Sequence, residues 1–202
     1  MSSLIVFLFL LSGPMIDIPG GTLSRGGEAQ AGSGDLTLKP FRIDQYEVTN
    51  EAFAERFPTH RFRPGAGRHP VTGVTFGEAA RYCAMDGGHL PTSPEWEMAA
   101  RGPDDRIFPW GNKTPKKNPQ TYYSGVIKRK GGSDRTDKSY YGVRDMAGSV
   151  WEWVDEERDG QKAARGGMWN LHLDYEYSKI TDRIWVDPGQ RFIFLGFRCA
   201  RG

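Results

Sequence analysis

Arg165-Gly166-Gly167-Met168-Trp169-Asn170 opens the C-terminal segment of the chain, and Leu195-Gly196-Phe197-Arg198-Cys199-Ala200 closes it. Both ends are framed by Gly, Arg and aromatic residues. Between them lie Leu171, His172, Tyr175, Tyr177, Ile184, Trp185, Phe192, Ile193 and Phe194, interspersed with Asp174, Asp182 and Gln190. No sustained helical or strand period runs through these positions, as a core element requires. An ordinary solvated loop does not carry so many large apolar side chains. The reading that satisfies both facts is a contact surface held on a rigid frame.

The chain has 202 residues, enough for one sizeable core. Its 27 Lys and Arg against 25 Asp and Glu leave +2, with the signs mixed. Nothing in that balance calls for a nucleic-acid or membrane partner. With 26 Gly, 13 Pro and 12% aromatics the composition points to a loop-rich, strand-poor globular domain. Leu4 to Leu11 is apolar throughout but too short to span a bilayer. It reads either as the core of an export signal or as a buried strand, and no Lys or Arg precedes it. Residues 1–14 are therefore set apart as an apolar segment, and 15–202 are read as a single domain.

Local signals place the elements. Met15 to Ile18 reads as a strand that turns at Pro19-Gly20-Gly21, and Phe41 to Asp44 as a second strand. Thr49 caps a short helix from Asn50 to Phe57, stopped by Pro58. Two capping boxes, Thr75 with Glu78 and Thr92 with Glu95, open the two main helices. In the first of these, Ala79, Tyr82 and Cys83 share one face, so Cys83 points inward. Gly26 to Gly34 and much of 103–140 read as loop, with Phe108-Pro109-Trp110-Gly111-Asn112 as an anchor in the latter. Val150-Trp151-Glu152-Trp153-Val154 alternates as a strand, with the two tryptophans on one face. Asp155-Glu156-Glu157-Arg158-Asp159 reads as a solvated turn after it, and Lys128-Arg129-Lys130 as a solvated face. His60, His69 and His89 are scattered and read as structural. Cys83 and Cys199 are either two buried thiols or one long-range disulfide.

Taken in order, Ile18-Pro19-Gly20-Gly21, Glu47-Val48-Thr49-Asn50, Gly88-His89-Leu90-Pro91-Thr92 with Glu95-Trp96-Glu97, Pro109-Trp110-Gly111-Asn112, Asp145-Met146-Ala147-Gly148-Ser149-Val150-Trp151-Glu152-Trp153, Arg165-Gly166-Gly167 and Gly196-Phe197-Arg198-Cys199 resemble the formylglycine-generating-enzyme family. The resemblance runs from about residue 15 to the C-terminus. It implies an α+β, C-type-lectin-like fold: a small mixed sheet, two main helices and extensive loops. It also implies that Cys83 and Cys199 are bridged. The active enzymes carry two copper-binding cysteines soon after the Arg-Gly-Gly-x-Trp turn, where this chain has Asn170-Leu171-His172-Leu173-Asp174-Tyr175-Glu176-Tyr177 and no cysteine. The oxidation needs a thiolate pair, so the family's chemistry is not expected here. The family's calcium site uses an Asn and a Glu. Ser149 stands in place of that Asn while Glu152 remains, which makes Glu152 the candidate metal ligand, with calcium as the ion.

The chain resembles still more closely the variable proteins of diversity-generating retroelements, which share this scaffold and end in a segment framed by Arg-Gly-Gly-x-Trp-Asn and Gly-Phe-Arg. In those proteins adenine-directed reverse transcription rewrites asparagine codons. Leu171, His172, Asp174, Tyr175, Ile184, Phe192, Ile193 and Phe194 are all reachable from such a codon; Trp185, Glu176 and Lys179 are not. The resemblance implies a non-catalytic, receptor- or adhesin-like binder at a cell surface, secreted or on a virion, with a variable-type region over about 165–199. Arg165, Gly166, Gly167, Trp169, Gly196, Phe197 and Arg198 would hold the frame. Leu171, His172, Asp174, Tyr175, Tyr177, Ile184, Trp185, Gln190, Phe192, Ile193 and Phe194 would meet a protein target, with no cofactor, nucleic acid or membrane span involved. A metal-dependent oxidase with a non-standard site is the alternative. If Leu195, Phe197 and Cys199 face the core, strand alternation sends Ile193 inward and Phe192 and Phe194 outward. On that reading, replacing both phenylalanines by Ser leaves folding intact and removes binding.

Overall fold

The computed structural model describes residues 14–24, 35–104, 106–113, 137–167 and 179–202. The apolar stretch 4–11, the loop 26–34, the basic run 128–130 and the positions Trp169, Leu171, His172, Asp174, Tyr175 and Tyr177 lie outside the described residues. The strands are β1 (Met15–Ile18), β2 (Gly21–Leu23), β3 (Leu36–Leu38), β4 (Phe41–Asp44), β5 (Trp151–Arg158), β6 (Gln161–Arg165), β7 (Arg183–Val186), β8 (Leu195–Gly196) and β9 (Ala200–Arg201). The helices are α1 (Asn50–Arg56), α2 (Phe76–Met85) and α3 (Ser93–Arg101).

The helices begin where their caps dictate. Thr49 accepts from the Ala52 N–H at the start of α1. Thr75 and Thr92 each accept from the N–H of a glutamate whose carboxylate reaches back to the threonine N–H, closing both capping boxes. At the other end of α3, Gly102 takes the cap position with positive φ.

The strands form a β1-β4-β9 sheet, a β2-β3 pair and a four-stranded sheet ordered β7-β6-β5-β8. The larger sheet is mixed: β5 runs antiparallel to β6 and parallel to β8. It separates two apolar clusters. Trp151, Trp153, Ala164 and Leu195 pack with Phe53, Tyr82 and Phe197 on the side of α1 and α2. Val154 and Ala163 pack with Trp96, Met98, Ile18 and Ile43 on the side of α3 and the β1-β4-β9 sheet. The expected alternation along 150–154 is therefore real, but both faces are covered.

Two sequence expectations need correction. The acidic stretch 155–159 is no turn after the strand: β5 continues to Arg158, and the turn is Asp159-Gly160, both with positive φ (52° and 76°). That pair suits the tight hairpin from β5 into β6, whose twist demands left-handed residues. The region from 183 to 186 is not irregular surface but β7, the edge of the larger sheet.

The C-terminal strand is fastened to the helical side covalently. Cys83 and Cys199 form a disulfide across a sequence separation of 116. Beside it, Asp44 Oδ2 accepts the Cys199 N–H at 2.9 Å. Burial pushes the Asp44 carboxyl up from 3.8 to about 6, with that N–H pulling the other way.

Two outcomes follow for unfolding measurements. Replacing both cysteines by Ser removes a long loop closure and is expected to cost up to about 4–5 kcal/mol in urea unfolding; a loss below about 1 kcal/mol would mean that packing alone fixes the terminus. At Asp44 the folded chain holds a proton that the unfolded chain has released between about pH 4 and 6. Stability from this group is present below the unfolded value and is lost as pH rises through the folded one. Asp44→Asn keeps an acceptor for Cys199, so it should flatten that pH dependence and add up to about 3 kcal/mol at neutral pH. An unchanged slope would assign the dependence to another group.

Candidate recognition surface

Two buried arginines make the frame. Arg165, at the end of β6, donates through Nε to Ser93 Oγ at 2.5 Å, through Nη1 to the Ile180 carbonyl at 2.9 Å and through Nη2 to Glu97 at 3.1 Å. One side chain thus ties the entry of the 166–180 segment to its exit. Burial draws its pKa down to about 10, opposed by the charge of Glu97.

Arg198 and Glu152 are both 0% exposed. Nε and Nη2 of Arg198 donate to the two Glu152 oxygens at 2.7 and 2.6 Å, and the Trp96 indole N–H donates to the same carboxylate at 2.8 Å. The remaining Arg198 donors reach the carbonyls of Asp44, Gln45 and Arg144. Burial disfavours the charged guanidinium, yet Glu152, Glu47 and Asp145 hold its pKa above the ordinary value. Gly196 sits between these anchors because a Cβ there would come within 2.4 Å of the Val71 carbonyl oxygen.

The segment 187–194 carries Gln190, Phe192, Ile193 and Phe194, and it is held by its backbone. Phe76 N–H donates to the Pro188 carbonyl, Gly73 N–H to Phe192, and Trp151 N–H to Phe194. Gln190 N–H donates back to Asp187, and Leu195 N–H to Phe192. Arg191 adds a fork to both oxygens of Glu78 and a bond to the Gly73 carbonyl. That fork, more than the burial that opposes it, holds the Glu78 carboxyl below its ordinary value. None of these contacts uses the side chain of 190, 192, 193 or 194.

The side chains do not point as strand alternation predicts. Ile193 is 66% exposed, and Phe192 and Phe194 are half-buried, stacked on each other at 5.0 Å and packed against the cluster beneath. The physical reason is the turn closed by Leu195 N–H to the Phe192 carbonyl: residues 192–194 are not extended, so strand parity does not apply to them. Gln190 is exposed. On β7, Ile184 packs toward the α1–α2 cluster and Trp185 toward the other, with the Arg158 guanidinium 5.6 Å from the Trp185 ring. The structure thus brings Gln190, Phe192, Ile193 and Phe194 onto one short loop and puts Ile184 and Trp185 on the edge strand beside it. The sequence reading missed β6 and β7 and the roles of Glu97 and Glu78. The Asp-Gly pair at 159–160 was the available signal for the hairpin; the long-range carboxylates carry none.

Neither implied metal fits the residues present. The chain has two cysteines and both are in the disulfide, so no thiolate pair exists for copper. Glu152, the expected calcium ligand, has both oxygens occupied by Arg198 and Trp96 donors. Among the described residues no group of three or more His, Cys, Asp or Glu is arranged to hold an ion.

Ile193→Ser is expected to change stability by less than about 0.5 kcal/mol, as surface substitutions do. Phe192→Ser with Phe194→Ser should cost about 1–3 kcal/mol, because half-buried aromatics lose their cover of the core. Thermal unfolding of the two variants reads this directly. Equal losses for Ile193 and the phenylalanines would contradict the arrangement.

The sequence of this chain is 26% identical to the inactive C-alpha-formylglycine-generating enzyme 2 of Bos taurus, in an alignment covering 100% of this chain and 96% of that protein. It is 27% identical to the formylglycine-generating enzyme of Thermomonospora curvata, over 92% of each. The solved structure of Treponema denticola variable protein 1 superposes with a TM-score of 0.76 at 21% identity, covering 93% of this chain and 94% of that one, which shows a shared fold. Residues 12–202 match the family model of the sulfatase-modifying factor enzyme 1-like domain, and the chain belongs to that family.

Proposed function

We propose that this protein is a non-catalytic, receptor- or adhesin-like binder whose C-terminal segment presents a diversified recognition surface to a protein target. The observation that carries the reading is the division of labour at 187–194: main-chain bonds, Arg191 and Glu78 fix the loop, while Ile193 and Gln190 stand in solvent. A loop held in this way accepts new side chains without losing its shape. Large apolar groups beside polar ones are what protein interfaces use as anchors. Leu171, His172, Asp174, Tyr175 and Tyr177 belong to the same proposed surface, with Ile184 and Trp185 at its edge.

The relatives support this reading in two ways. One is named as an inactive enzyme, and a protein of the same fold is named as a variable protein. The disulfide suits an oxidising setting, in keeping with a secreted, cell-surface or virion-associated protein. Among the described residues no helix is long and apolar enough to cross a membrane. We also propose that binding needs no cofactor, since the cysteines and Glu152 are already committed to the fold. The oxidase alternative rests on the Thermomonospora relative and lacks a thiolate pair in this chain.

Randomising Gln190, Ile193 and the 171–177 candidates tests the proposal directly. The library should yield variants that bind an arbitrary protein target and melt within a few degrees of the parent, because the exposed Gln190 and Ile193 contribute little to stability and the 171–177 candidates belong to the proposed surface. General collapse of the library, or tight Cu(I) binding with oxygen-dependent oxidation of a cysteine peptide, would overturn it.

A further inference from the structure

From Arg56 to Gly77 the chain carries Arg56, Arg61, Arg63 and Arg68 with His60 and His69, and no acidic residue. This loop is not loose. The Asn50 side-chain amide donates to the carbonyls of Ala66 and His69 at 3.0 and 3.3 Å, and its oxygen meets His60 Nε2 at 2.9 Å. Glu51 N–H donates to the Gly67 carbonyl, Asn50 N–H to that of His69, and Ala66 N–H to that of Arg63. Ala66 is buried beneath. The loop is therefore pinned to the first turn of α1, and Arg61, Phe62, Arg63 and Arg68 project from a fixed base into solvent.

Apart from Arg56, the arginines of this surface are not ion-paired among the described residues. Arg56 pairs with Asp86 at 2.5 Å. Arg61 donates only to the carbonyls of Pro58 and His60, and Arg81 of α2 lies over the Phe57 ring at 5.4 Å. Among the described residues no carboxylate is ion-paired with Arg61, Arg63, Arg68 or Arg81, although the exposed Glu51 and Glu55 of α1 flank the loop, with Glu51 Oε2 2.8 Å from where a Cβ on Gly67 would stand. Two large apolar side chains of the loop and of α2 are exposed. Phe62 is 40% exposed between two arginines, and Met85, one turn beyond Arg81, is 39% exposed. The Arg56–Asp86 pair and the stacking of Arg81 over Phe57 set the start of the loop beside the last turns of α2.

A bare polyanion would neutralise the guanidinia but leave Phe62 and Met85 in water. An anionic lipid surface satisfies both: headgroup phosphates accept guanidinium forks, and the acyl boundary takes the ring and the thioether. We propose that the 57–70 loop, with Arg81 and Met85, is a docking surface on which the protein lies against an anionic lipid bilayer without spanning it. This is independent of the recognition segment, since none of these residues lies within 165–199.

Co-sedimentation of the full chain with vesicles tests the assignment. Binding is expected to vesicles holding about 30 mol% phosphatidylserine, to be negligible with phosphatidylcholine alone, and to fall steeply at high salt. Arg61→Ala, Arg63→Ala and Arg68→Ala together should weaken partitioning on the order of a hundredfold, at about fivefold per guanidinium. Phe62→Ser should weaken it by about fivefold through lost insertion. Lys39→Ala with Arg42→Ala, exposed cations outside the loop, should leave it unchanged. All variants should keep the parent melting temperature. No binding to the anionic vesicles, or binding indifferent to Phe62, would overturn the proposal. So would retention on a sulfated polysaccharide or an oligonucleotide that exceeds vesicle binding and ignores Phe62. Competition by inorganic phosphate alone at millimolar concentration would likewise assign the site to free phosphate instead of a lipid surface.

Discussion

Everything in this fold converges on the buried Arg198 guanidinium. A charge in a dry interior is tolerated only when paired and fully hydrogen-bonded, because desolvation costs several kcal/mol per ion. Arg198 meets that condition by drawing acceptors from distant parts of the chain: Glu152 on β5, the carbonyls of Asp44 and Gln45 at the end of β4, and that of Arg144. The two sheets and the 144–150 loop are thereby fixed to one another at a single point. The local charge balance needs a further adjustment. Glu47 is buried beside Asp145, Arg198 and Glu152, and burial first, then Asp145, pushes its carboxyl well above the ordinary range.

Arg165 applies the same logic at the other end of the recognition segment. It lies over Trp96 at 5.9 Å, and Trp96 in turn donates to Glu152. The two arginine networks therefore meet through one tryptophan of α3. A segment bounded by two such networks can change in its middle without altering where it starts or stops. The disulfide plays a similar part for the terminus, joining the inward face of α2 to the residue after Arg198.

How much of this was written in the sequence depends on the range of the interaction. Local rules worked well. Thr49, Thr75 and Thr92 cap helices by accepting the N–H three residues on, at Thr75 and Thr92 with a glutamate there completing the box, and the alternation of 151–154 survives in the packing. Arg165 and Arg198, which the motif frame marked, are both buried in ion pairs. Spacing alone left the cysteine pairing open, because bridging depends on where α2 and the terminus lie in space; the resemblance closed that gap. Failures came where a local rule was extended past its element. Strand parity carried from Leu195 to Ile193 crossed a turn and inverted the exposures of 192, 193 and 194. The acidic run 155–158 looked like loop because solvent-facing strand residues at a hairpin tip are charged, and β7 looked irregular because Ile184 and Trp185 each face a different cluster.

That inversion alters the physical account of the proposed surface. Phe192 and Phe194 cannot be free anchors, since each covers part of the core, yet neither is sealed within it. They act as a foundation that lifts Ile193 into solvent. Tolerance to exchange along the segment must then be graded. Gln190 and Ile193 are held only through their main chains and can take nearly any side chain. Positions 192 and 194 call for bulk but not identity, because a smaller residue there uncovers the cluster formed by Val71, Trp153 and Leu195. A recognition surface built this way keeps its diversity within the limits set by its own core: the more a side chain contributes to stability, the narrower the set of residues that can replace it.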